Sequence, residues 1–570
     1  MDTDTDSLQP HVGLDSSSTN IQEQFFELLI RSNAPPAPPL LAYGRRSFLH
    51  YLDFSVPSNT ELHELASSNE LSEFIERRAS LLGHLKGFFS PLRRFPPEML
   101  GHIFAFCRDN SLAANHTVCD EQHALMVLGN VCSRWRAVLR SMPELWSDLH
   151  FSTPAMMTRN AAVTQHLLGL SRNRPLSLRI STPTGEDAVD CMAPLQRFRG
   201  LPLTSLTVEE VQEIVMGLPL LWTLRTVVDK LETLTMVVTA EDSSFSHFVF
   251  GVMEFCTLSE LSISVVDSKA FDFESFLEYF RFAPSLRRLA IKGDVAPLHV
   301  EDHTDVSSVF CSNFAWHQLT TLTINMGVPA LEARDILCLC TGLEIATFSE
   351  LADQSEEELE ERRGRIFFPD ICTLSSLRRL SLTSGSSIHC CDLLERMSFP
   401  KLESLTLDLD TSLDVFPIVL DLVRNSRFHL LHLNLCQLDD LAIDELCSIL
   451  MEIPSLETLS IEHCDAYDEL IEKCFTYPCS EDGLPLLRFP RLRTFILDPL
   501  SVDSGDCPSN VLKLVESLSH YAGGSATPCP VLGTIRLPFY RCNAEEETRF
   551  KQQLASVCAD GFNLEYLPLS

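Results

Sequence analysis

The sequence is poor in positive charge. Its 570 residues include 44 Lys and Arg against 78 Asp and Glu, which gives a formal net charge of −34 at pH 7. A nucleic-acid surface needs clustered Lys and Arg to neutralise phosphates. The charge balance therefore argues against nucleic acid as a partner. It identifies no other partner, because a solvated acidic surface is the simpler explanation.

Long apolar runs are also absent. The most apolar stretch, Ile214 to Leu224, is far shorter than the roughly 20 residues that a membrane-spanning helix needs. The N-terminus begins Met-Asp-Thr-Asp-Thr-Asp and has neither the basic region nor the apolar core of a secretory signal. We therefore expect no membrane segment and a cytoplasmic and/or nuclear location.

The sequence contains none of the common phosphate-binding or catalytic motifs. Gly-x-Gly-x-x-Gly, Gly-x4-Gly-Lys-Ser/Thr, Gly-x-Ser-x-Gly and His-Glu-x-x-His do not occur. The triplet His463-Cys464-Asp465 has the residue types of a thiol nucleophile and its base, but it lies at the end of a predicted strand, where cysteine has a structural role. We expect a non-catalytic protein with no catalytic residue and no cofactor.

The 20 cysteines include no Cys-x2-Cys pair. Many occupy apolar positions of predicted helices or strands, which is typical of buried reduced thiols in cytosolic or nuclear proteins; they include Cys107, Cys132, Cys338, Cys447 and Cys474. The nearest approach to a metal cluster is His389-Cys390-Cys391-Asp392, with Cys338 and Cys340 as a second pair. Adjacent cysteines chelate poorly and neither pair has zinc-finger spacing, so we expect no metal site.

The N-terminal ninety residues divide into two predicted segments. Residues 1–60 are predicted to be mostly disordered, because they open with a run rich in Asp, Ser and Thr and contain the proline-rich run 34–39. That run is a linker or, alternatively, a ligand for a proline-binding domain. Residues 61–90 carry apolar side chains near a helical period, which predicts a long amphipathic helix. The helix packs on the next segment or forms a coiled-coil dimer seam.

Residues 91–151 carry the most specific pattern in the chain. Pro96 and Pro97 suit the start of a helix, and Glu98 in its first turn complements the positive end of the helix dipole. A dense apolar run follows and comprises Met99, Leu100, Ile103, Phe104 and Phe106. A unit of about fifty residues cannot bury all of this apolar surface by itself.

A second predicted helix in the same segment places three apolar residues four positions apart. Val131, Trp135 and Leu139 would share one of its faces. Trp146, in the sequence Pro143-Glu-Leu-Trp146, then closes the unit. Together these features predict three short helices whose surplus apolar surface is covered by another protein.

The segment from Pro91 to Phe151 resembles an F-box in the form common in mushroom-forming fungi, in which an LPPEIL…IF element is followed by VCRRWR…SPxLW. It departs from that pattern at Phe95, where leucine is usual, and in a longer predicted loop at Asp109 to Gln122. The resemblance implies docking on a Skp-type adaptor, which joins a cullin-based ubiquitin ligase. The implied contact residues are Phe95, Pro96, Pro97, Glu98, Leu100, Ile103, Phe104, Val131, Cys132, Trp135 and Trp146.

The docking hypothesis depends on one expectation about exposure. Leu100, Ile103, Phe104 and Trp135 are expected to be bare on the isolated chain, because a foreign helix is meant to cover them. The double substitution Leu100→Asp with Ile103→Asp is accordingly expected to abolish adaptor binding without unfolding the rest of the chain.

Residues 152–570 contain a recurring Leu-x-x-Leu-x-Leu frame. Its early copies begin at Leu203, Leu231, Leu258 and Leu286, a period of about 28 residues that resembles leucine-rich repeats. The full set comprises Leu203/Leu206/Val208, Leu231/Leu234/Met236, Leu258/Leu261/Ile263, Leu286/Leu289/Ile291, Leu319/Leu322/Ile324, Leu343/Ala346/Phe348, Leu377/Leu380/Leu382, Leu402/Leu405/Leu407, Leu430/Leu433/Leu435, Leu456/Leu459/Ile461, Leu492/Phe495/Leu497, Leu532/Ile535/Leu537 and Leu564/Leu567/Leu569.

Segments between the frames have helical apolar spacing and predict return helices at Phe273–Phe282, Leu331–Cys340, Leu413–Val423, Leu441–Ile453, Val511–Tyr521 and Glu545–Cys558. A proline two residues before several frames ends the helix and extends the chain into the strand. The predicted fold class is α/β: a small all-α F-box domain preceded by a long helix, then an irregular leucine-rich-repeat solenoid with a parallel concave sheet.

Two functional hypotheses remain open. In the first, the chain is the substrate receptor of a Skp-cullin-F-box ubiquitin ligase, with the F-box on the adaptor and the repeats on an unknown protein substrate. In the second, it is a protein-interaction scaffold that uses the same F-box outside any ligase. The acidic insertion Ser355–Arg363 is a solvated turn or, alternatively, a contact for a basic substrate.

Overall fold

The computed structural model divides the chain into two compact units, Met1–Arg179 and Ile180–Ser570. The residues that the structure describes are 95–113, 120–151, 161–181, 202–212, 228–239, 255–266, 277, 280–293, 314–352, 371–409, 415–438, 443–464, 473, 491–498, 534–538 and 563–567. The predictions for residues 1–60 and 61–90 and for the insertion at 355–363 lie outside these ranges. Every helix within them is too short or too polar to traverse a bilayer.

The first unit contains α1 (Pro97–Ala113), α2 (Asp120–Val131), α3 (Ser133–Ser141), a 3-10 turn (Pro143–Trp146), β1 (Asp148–Phe151), α4 (Ala161–Leu170) and the start of β2 (Leu176–Ser181). It extends past the predicted domain end at Phe151 because β1 and β2 are neighbouring strands. The backbone N–H of Ser177 donates to the carbonyl of Ser147 at 2.8 Å. This pairing joins the segment after Phe151 to the three helices before it.

The helical part of the first unit has its own small core. Helices α1, α2 and α3 contact one another, and the 3-10 turn packs on α1 and α3. The side chains buried between these elements are Leu100, Phe104, Leu125, Val138, Leu139, Leu145 and Trp146. The helix start at Pro97 is as predicted, since its missing N–H falls where a helix leaves donors unpaired anyway.

A helix boundary at Cys132 overturns one sequence prediction. Cys132 is extended (φ −161°, ψ 166°) and caps α3, its Sγ accepting the backbone N–H of Trp135 at 3.4 Å. Val131 therefore ends α2, and Val131, Trp135 and Leu139 do not share a face of one helix as expected. Val131 is exposed, whereas Leu139 is buried.

The loop predicted at Asp109 to Gln122 is also wrong at both ends. Helix α1 continues through Asp109 to Ala113, and α2 already begins at Asp120. The polar residues of this segment gave no periodic apolar signal, so the sequence did not reveal that both helices extend into it.

The second unit contains one large parallel sheet, a separate two-stranded parallel sheet and several helices. The strands of its main path are β3 (Leu203–Gln212), β4 (Thr233–Thr239), β5 (Glu260–Val266), β6 (Arg288–Gly293), β7 (Thr321–Asn325), β9 (Ile345–Ala352), β11 (Arg379–Ser384), β13 (Ser404–Leu409), β14 (His432–Leu438), β15 (Thr458–Cys464), β16 (Thr494–Asp498), β17 (Thr534–Pro538) and β18 (Asn563–Leu567). The short strand β8 (Val328–Pro329) pairs with β9, and β10 (Cys372–Thr373) pairs with β12 (Met397–Ser398). The α/β class and the parallel sheet are as predicted.

The repeat frame sets the register of this sheet. The second residue of each frame pairs with the second residue of the next, along Leu206, Leu234, Leu261, Leu289, Leu322, Ala346, Leu380, Leu405, Leu433, Leu459, Phe495 and Ile535. From Leu206 to Phe495 each of these side chains is buried. Alternate residues of a strand face the same side of a sheet, so the second and third frame residues share one side. The burial of the second residue shows that this side is the packed one.

The last frame begins three residues earlier than the sequence predicts. Ile535 pairs with Leu564, so Leu564 holds the second position of its frame and not the first. Leucines at 564, 567 and 569 fit the spacing in more than one way, and only strand pairing selects the register.

Tight turns begin the frames that follow a proline. The backbone N–H of Leu286 donates to Ala283 O at 3.1 Å and that of Leu402 to Phe399 O at 3.1 Å, with Pro284 and Pro400 in the second position of each turn. Proline favours that position because its fixed φ suits it. These prolines therefore stand in a turn before the strand, and the residues before Pro400 form β12 and not the helix that it was predicted to end.

Three of the predicted return helices are present as α5 (Ala330–Leu339), α7 (Val415–Ser426) and α8 (Ile443–Glu452). A further helix, α6 (Ser387–Leu394), was not predicted and contains the His389-Cys390-Cys391-Asp392 run. The predicted helices at 511–521 and 545–558 lie outside the described residues, as does most of 273–282. Cys447 on α8 is disulfide-bonded, so the prediction of a reduced thiol is wrong at this position.

Candidate functional site

The predicted adaptor-binding residues divide into buried and exposed groups. Leu100 and Phe104 are fully buried, and Trp146 is buried beside them in the core of the helical unit. The expectation that Leu100 and Phe104 are bare on the isolated chain is therefore wrong. Both face α2 and α3 because α1 turns that side of its surface inward, a choice that a helix with apolar residues on several faces leaves open.

Two side-chain hydrogen bonds fix the ends of α3. The indole Nε1 of Trp146 donates to Leu139 O at 2.8 Å, which occupies a carbonyl in the last turn of the helix. The guanidinium of Arg134 donates to Phe95 O at 2.5 Å and so ties α3 to the segment before α1. These two bonds thus join α3 to the 3-10 turn and to the segment before α1.

The outward face of α1 carries an apolar stripe. Met99 and Phe106 are 51% and 69% exposed, and Ile103 between them is partly exposed. Their spacing of four and three residues places all three on one side of the helix. We call this set, Met99, Ile103 and Phe106, the α1 stripe. Of its members only Ile103 belongs to the predicted contact residues.

Helix α2 adds three exposed apolar side chains near its C-terminal end. Val131, a predicted contact residue, is 56% exposed, and Met126 and Val127 are also exposed. Among the described residues, nine large apolar side chains are exposed, and five of them lie on α1 and α2: Met99, Phe106, Met126, Val127 and Val131. This concentration within one small helical unit is unusual, since scattered single exposures are the norm.

The other predicted contact residues lie at the helix ends or within the helical unit. Pro96, Pro97 and Glu98 are exposed at the start of α1, whereas Phe95 is partly exposed. Cys132 and Trp135 are also partly exposed, the first as the cap of α3 and the second against Phe104. Whether any of these residues contacts an adaptor stays a prediction.

One face of the sheet in the second unit is lined with small polar side chains. These residues lie between the second and third frame residues, pair in register from strand to strand and are partly exposed. They are Thr207, Thr235, Ser262, Thr323, Thr347, Ser381, Thr406 and Asn434, and the small apolar Ala290 holds the same position on β6. The sheet belongs to the repeats that are expected to bind a protein substrate, although the sequence did not indicate which surface of the repeats does so. Its hydroxyl and amide groups can donate and accept hydrogen bonds.

Two residues further along the same strands, the side chains on this face become acidic in the strands that come last in the chain. Asp408, Cys436, Glu462 and Asp498 pair in succession across β13 to β16. The thiol of Cys436 donates to Glu462 Oε2 at 3.7 Å. Burial, together with the charges of Glu462 and Asp408, raises the pKa of Cys436 to about 12. The local potential here is negative, which keeps this thiol protonated.

The run His389-Cys390-Cys391-Asp392, for which no metal binding is expected, lies on α6. His389 and Cys390 are buried on α6, where His389 Nδ1 lies 3.2 Å from Ser384 Oγ and 3.1 Å from Leu351 O. Within the described part of the chain, no group of three or more His, Cys, Asp or Glu is arranged to hold a metal ion. The Ser384 hydroxyl also accepts the backbone N–H of Ser386, so it supports the turn before α6.

Comparison with known proteins finds no relative that assigns a function to these surfaces. No protein-family model matches the chain, and no curated protein matches it at a significant level.

Proposed function

We propose that the chain is the substrate-receptor subunit of a Skp-cullin-F-box type ubiquitin ligase. The helical part of the first unit binds a Skp-type adaptor, and the leucine-rich-repeat sheet of the second unit holds a protein substrate. The proposal is supported by the F-box resemblance of residues 91–151 together with the exposed apolar side chains on α1 and α2.

The observation that carries the proposal is the α1 stripe. Met99 and Phe106 are more than half exposed, although the helical unit has a buried core of its own. Fully burying side chains of this kind contributes roughly 1.5–3 kcal/mol each before ordering costs. The contact surface is therefore assigned to Met99, Ile103 and Phe106 with Val131, and the buried Leu100 and Phe104 support it from inside.

The receptor acts by proximity and supplies no covalent chemistry. Tethering a substrate raises the effective concentration of its lysines near the ubiquitin-charged enzyme. The polar row from Thr207 to Asn434 offers an extended surface for this purpose, since neighbouring strands lie about 4.8 Å apart.

The test is capture of a purified Skp-type adaptor by the full chain. The double variant Met99→Asp with Phe106→Asp is expected to lose capture, because it places two charges in the buried centre of the interface. The matched control is Ile371→Asp with Ile388→Asp, which alters two equally exposed apolar residues of the second unit and is expected to retain capture. Equal capture by wild type and the Met99/Phe106 variant overturns the assignment of the surface.

The substitution of Leu100 is unsuitable for this test. Leu100→Asp places a charge in the core of the helical unit and is expected to unfold it, so lost capture would say nothing about contact. A second measurement separates the ligase from a scaffold. Recovery of a cullin in the same complex supports the ligase receptor, whereas adaptor without cullin supports an F-box scaffold.

A further inference from the structure

Four neighbouring strands of the large sheet, β13 to β16, contain acidic residues but no Lys or Arg. Asp408 on β13, Glu462 on β15 and Asp498 on β16 occupy matching positions in the register of these strands, and Cys436 on β14 holds the position between the first two. We call Asp408, Glu462 and Asp498 the acidic end of the sheet. The positions that precede them on the same face hold no carboxylate; they are Ser404, Thr406, His432, Asn434, Thr458, Ser460, Thr494 and Ile496.

Elsewhere on the sheet, acidic side chains are neutralised by arginines of a neighbouring repeat. Glu260 pairs with Arg288 at 2.6 Å, and Glu403 pairs with Arg378 at 2.9 Å. Asp408 and Glu462 have no such partner in the part of the chain that the structure describes. Like charges on nearby strands repel one another, so a cation bound beside them would relieve the repulsion.

The carboxylate of Glu462 is held in position without being neutralised. The hydroxyl of Ser460 donates to its Oε1 at 3.4 Å, and the thiol of Cys436 donates to its Oε2 at 3.7 Å. Both donors are uncharged. Because burial and the two nearby carboxylates raise the pKa of Cys436 to about 12, this thiol remains a donor and adds no further negative charge.

A separate observation on β14 also indicates that a donor is missing here. Asn434 lies two residues before Cys436 and pairs with Thr406 and Ser460, and its side-chain Oδ1 is buried and accepts no hydrogen bond. A buried acceptor without a donor costs free energy. The residue as a whole is partly exposed, so its amide can turn toward a donor on this face. Lysine and arginine side chains carry N–H donors and positive charge together, and they have no acceptor.

The charge changes along the row that contains the acidic end. This row begins with Lys292 on β6, continues through the uncharged Asn325, Ser349 and Thr383, and then reaches Asp408. The surface is therefore neutral or positive at its earlier strands and negative only over β13 to β16. A bound segment would place its basic residues over these last four strands, since only there do they meet opposite charge.

The spacing of the acidic residues fits an extended chain that runs across the strands. Asp408 and Glu462 are two strands apart, which is about 10 Å. A polyproline II segment advances about 3.1 Å per residue with three residues per turn, so side chains at every third position project from one side at about the same interval. Two basic residues three positions apart would thus reach both carboxylates.

We propose that the acidic end of the sheet binds an extended, basic segment of a partner polypeptide, with Asp408 and Glu462 contacting two Lys or Arg side chains of that segment. The assignment of the segment to a ubiquitination substrate rests on the proposed function. The charge match itself does not, because it concerns the sheet of the second unit alone.

The test is fluorescence anisotropy of a labelled synthetic peptide with Arg at every third position and Pro or Ser between, titrated with the full chain at low ionic strength. The wild-type chain is expected to bind this peptide and not the same peptide with citrulline in place of Arg, which keeps the shape and loses the charge. The double variant Asp408→Asn with Glu462→Gln is expected to weaken binding by at least about tenfold. Both substitutions keep the side-chain shape.

The matched control is Glu260→Gln with Glu403→Gln, which removes two charges from the same sheet at positions already paired with arginine. It is expected to change the affinity by no more than about twofold. This control is needed because a chain of net charge −34 attracts any cation. Equal losses in the two double variants, absence of peptide binding, or equal binding of the citrulline peptide overturns the inference. The comparison of the two peptides is decisive even if a variant fails to fold.

Adaptor capture by the same proteins separates this inference from the proposed function. The Asp408/Glu462 variant is expected to capture the adaptor as the wild type does, because its substitutions lie in the second unit. Peptide binding without adaptor capture by the wild type refutes the ligase proposal and leaves the basic-segment site standing. Adaptor capture without peptide binding refutes the site alone.

Discussion

The ring of Trp135 packs edge-on against the ring of Phe104, with the ring centroids 5.2 Å apart and the ring planes inclined at 61°. This contact joins α3 to α1 within the helical unit. Edge-to-face pairs of this kind contribute about 0.5–1.5 kcal/mol beyond the area that they bury. Two residues first assigned to a partner interface therefore stabilise each other within the chain.

The first prediction compares two phenylalanines on α1. Phe104→Ala is expected to lower the free energy of unfolding of the helical unit by about 3–5 kcal/mol, because it removes a fully buried ring. Phe106→Ala is expected to change it by no more than about 0.5 kcal/mol, because Phe106 is exposed. Denaturant unfolding of the full chain, followed by tryptophan fluorescence, measures both. Equal losses would contradict the placement of the two rings.

The second prediction concerns two glycines. A Cβ on Gly342 would lie 3.1 Å from the backbone oxygen of His317, which cannot move without disturbing the turn. Gly342→Ala is expected to destabilise the second unit by on the order of 1 kcal/mol. A Cβ on Gly169 meets no atom within 4 Å. Gly169→Ala is expected to stabilise α4 by about 0.5–1 kcal/mol through helix propensity. Thermal unfolding of both variants should give shifts of opposite sign.

The third prediction tests the register of the sheet. Leu405 is fully buried between Leu380 and Leu433 on the neighbouring strands. Leu405→Ala is expected to cost about 2–5 kcal/mol of stability, because a cavity replaces its side chain. Thr406→Ala, one residue along on the opposite face, is the matched control and is expected to cost well under about 1 kcal/mol. Urea unfolding that ranks Thr406→Ala as the more damaging change would refute the register.

The fourth prediction concerns pH. Burial raises the pKa of the thiols of Cys340 and Cys390 to about 12. Because the folded pKa lies above the unfolded value, the unfolded chain loses these protons first as the pH rises. The stability that the protonated thiols contribute is present below about pH 9 and is lost toward about pH 12, at about 1.4 kcal/mol per pH unit for each thiol.

The measurement is urea unfolding of wild type and of the double variant Cys340→Ala with Cys390→Ala near neutral pH and near about pH 10.5, where buried thiols favour the folded state less. The cavities make the variant less stable at neutral pH. The stability gap between the two proteins is expected to shrink at the higher pH. A gap that stays constant would show that these thiols do not titrate with unfolding.

Much of the second unit was predictable from the sequence. The Leu-x-x-Leu-x-Leu frame identified the strands because burial of alternate residues requires apolar side chains at fixed spacing. The frame gave the wrong register at Leu564, where three nearby leucines allow two registers. The apolar pattern also missed α6, because the buried residues His389 and Cys390 give only a weak apolar signal.

The sequence by itself determined that α1 is more apolar than one helix face requires, since Met99, Leu100, Ile103, Phe104 and Phe106 exceed a single stripe. Only the tertiary structure decided which of these residues are buried. Leu100 and Phe104 face α2 and α3, whereas Met99 and Phe106 face solvent.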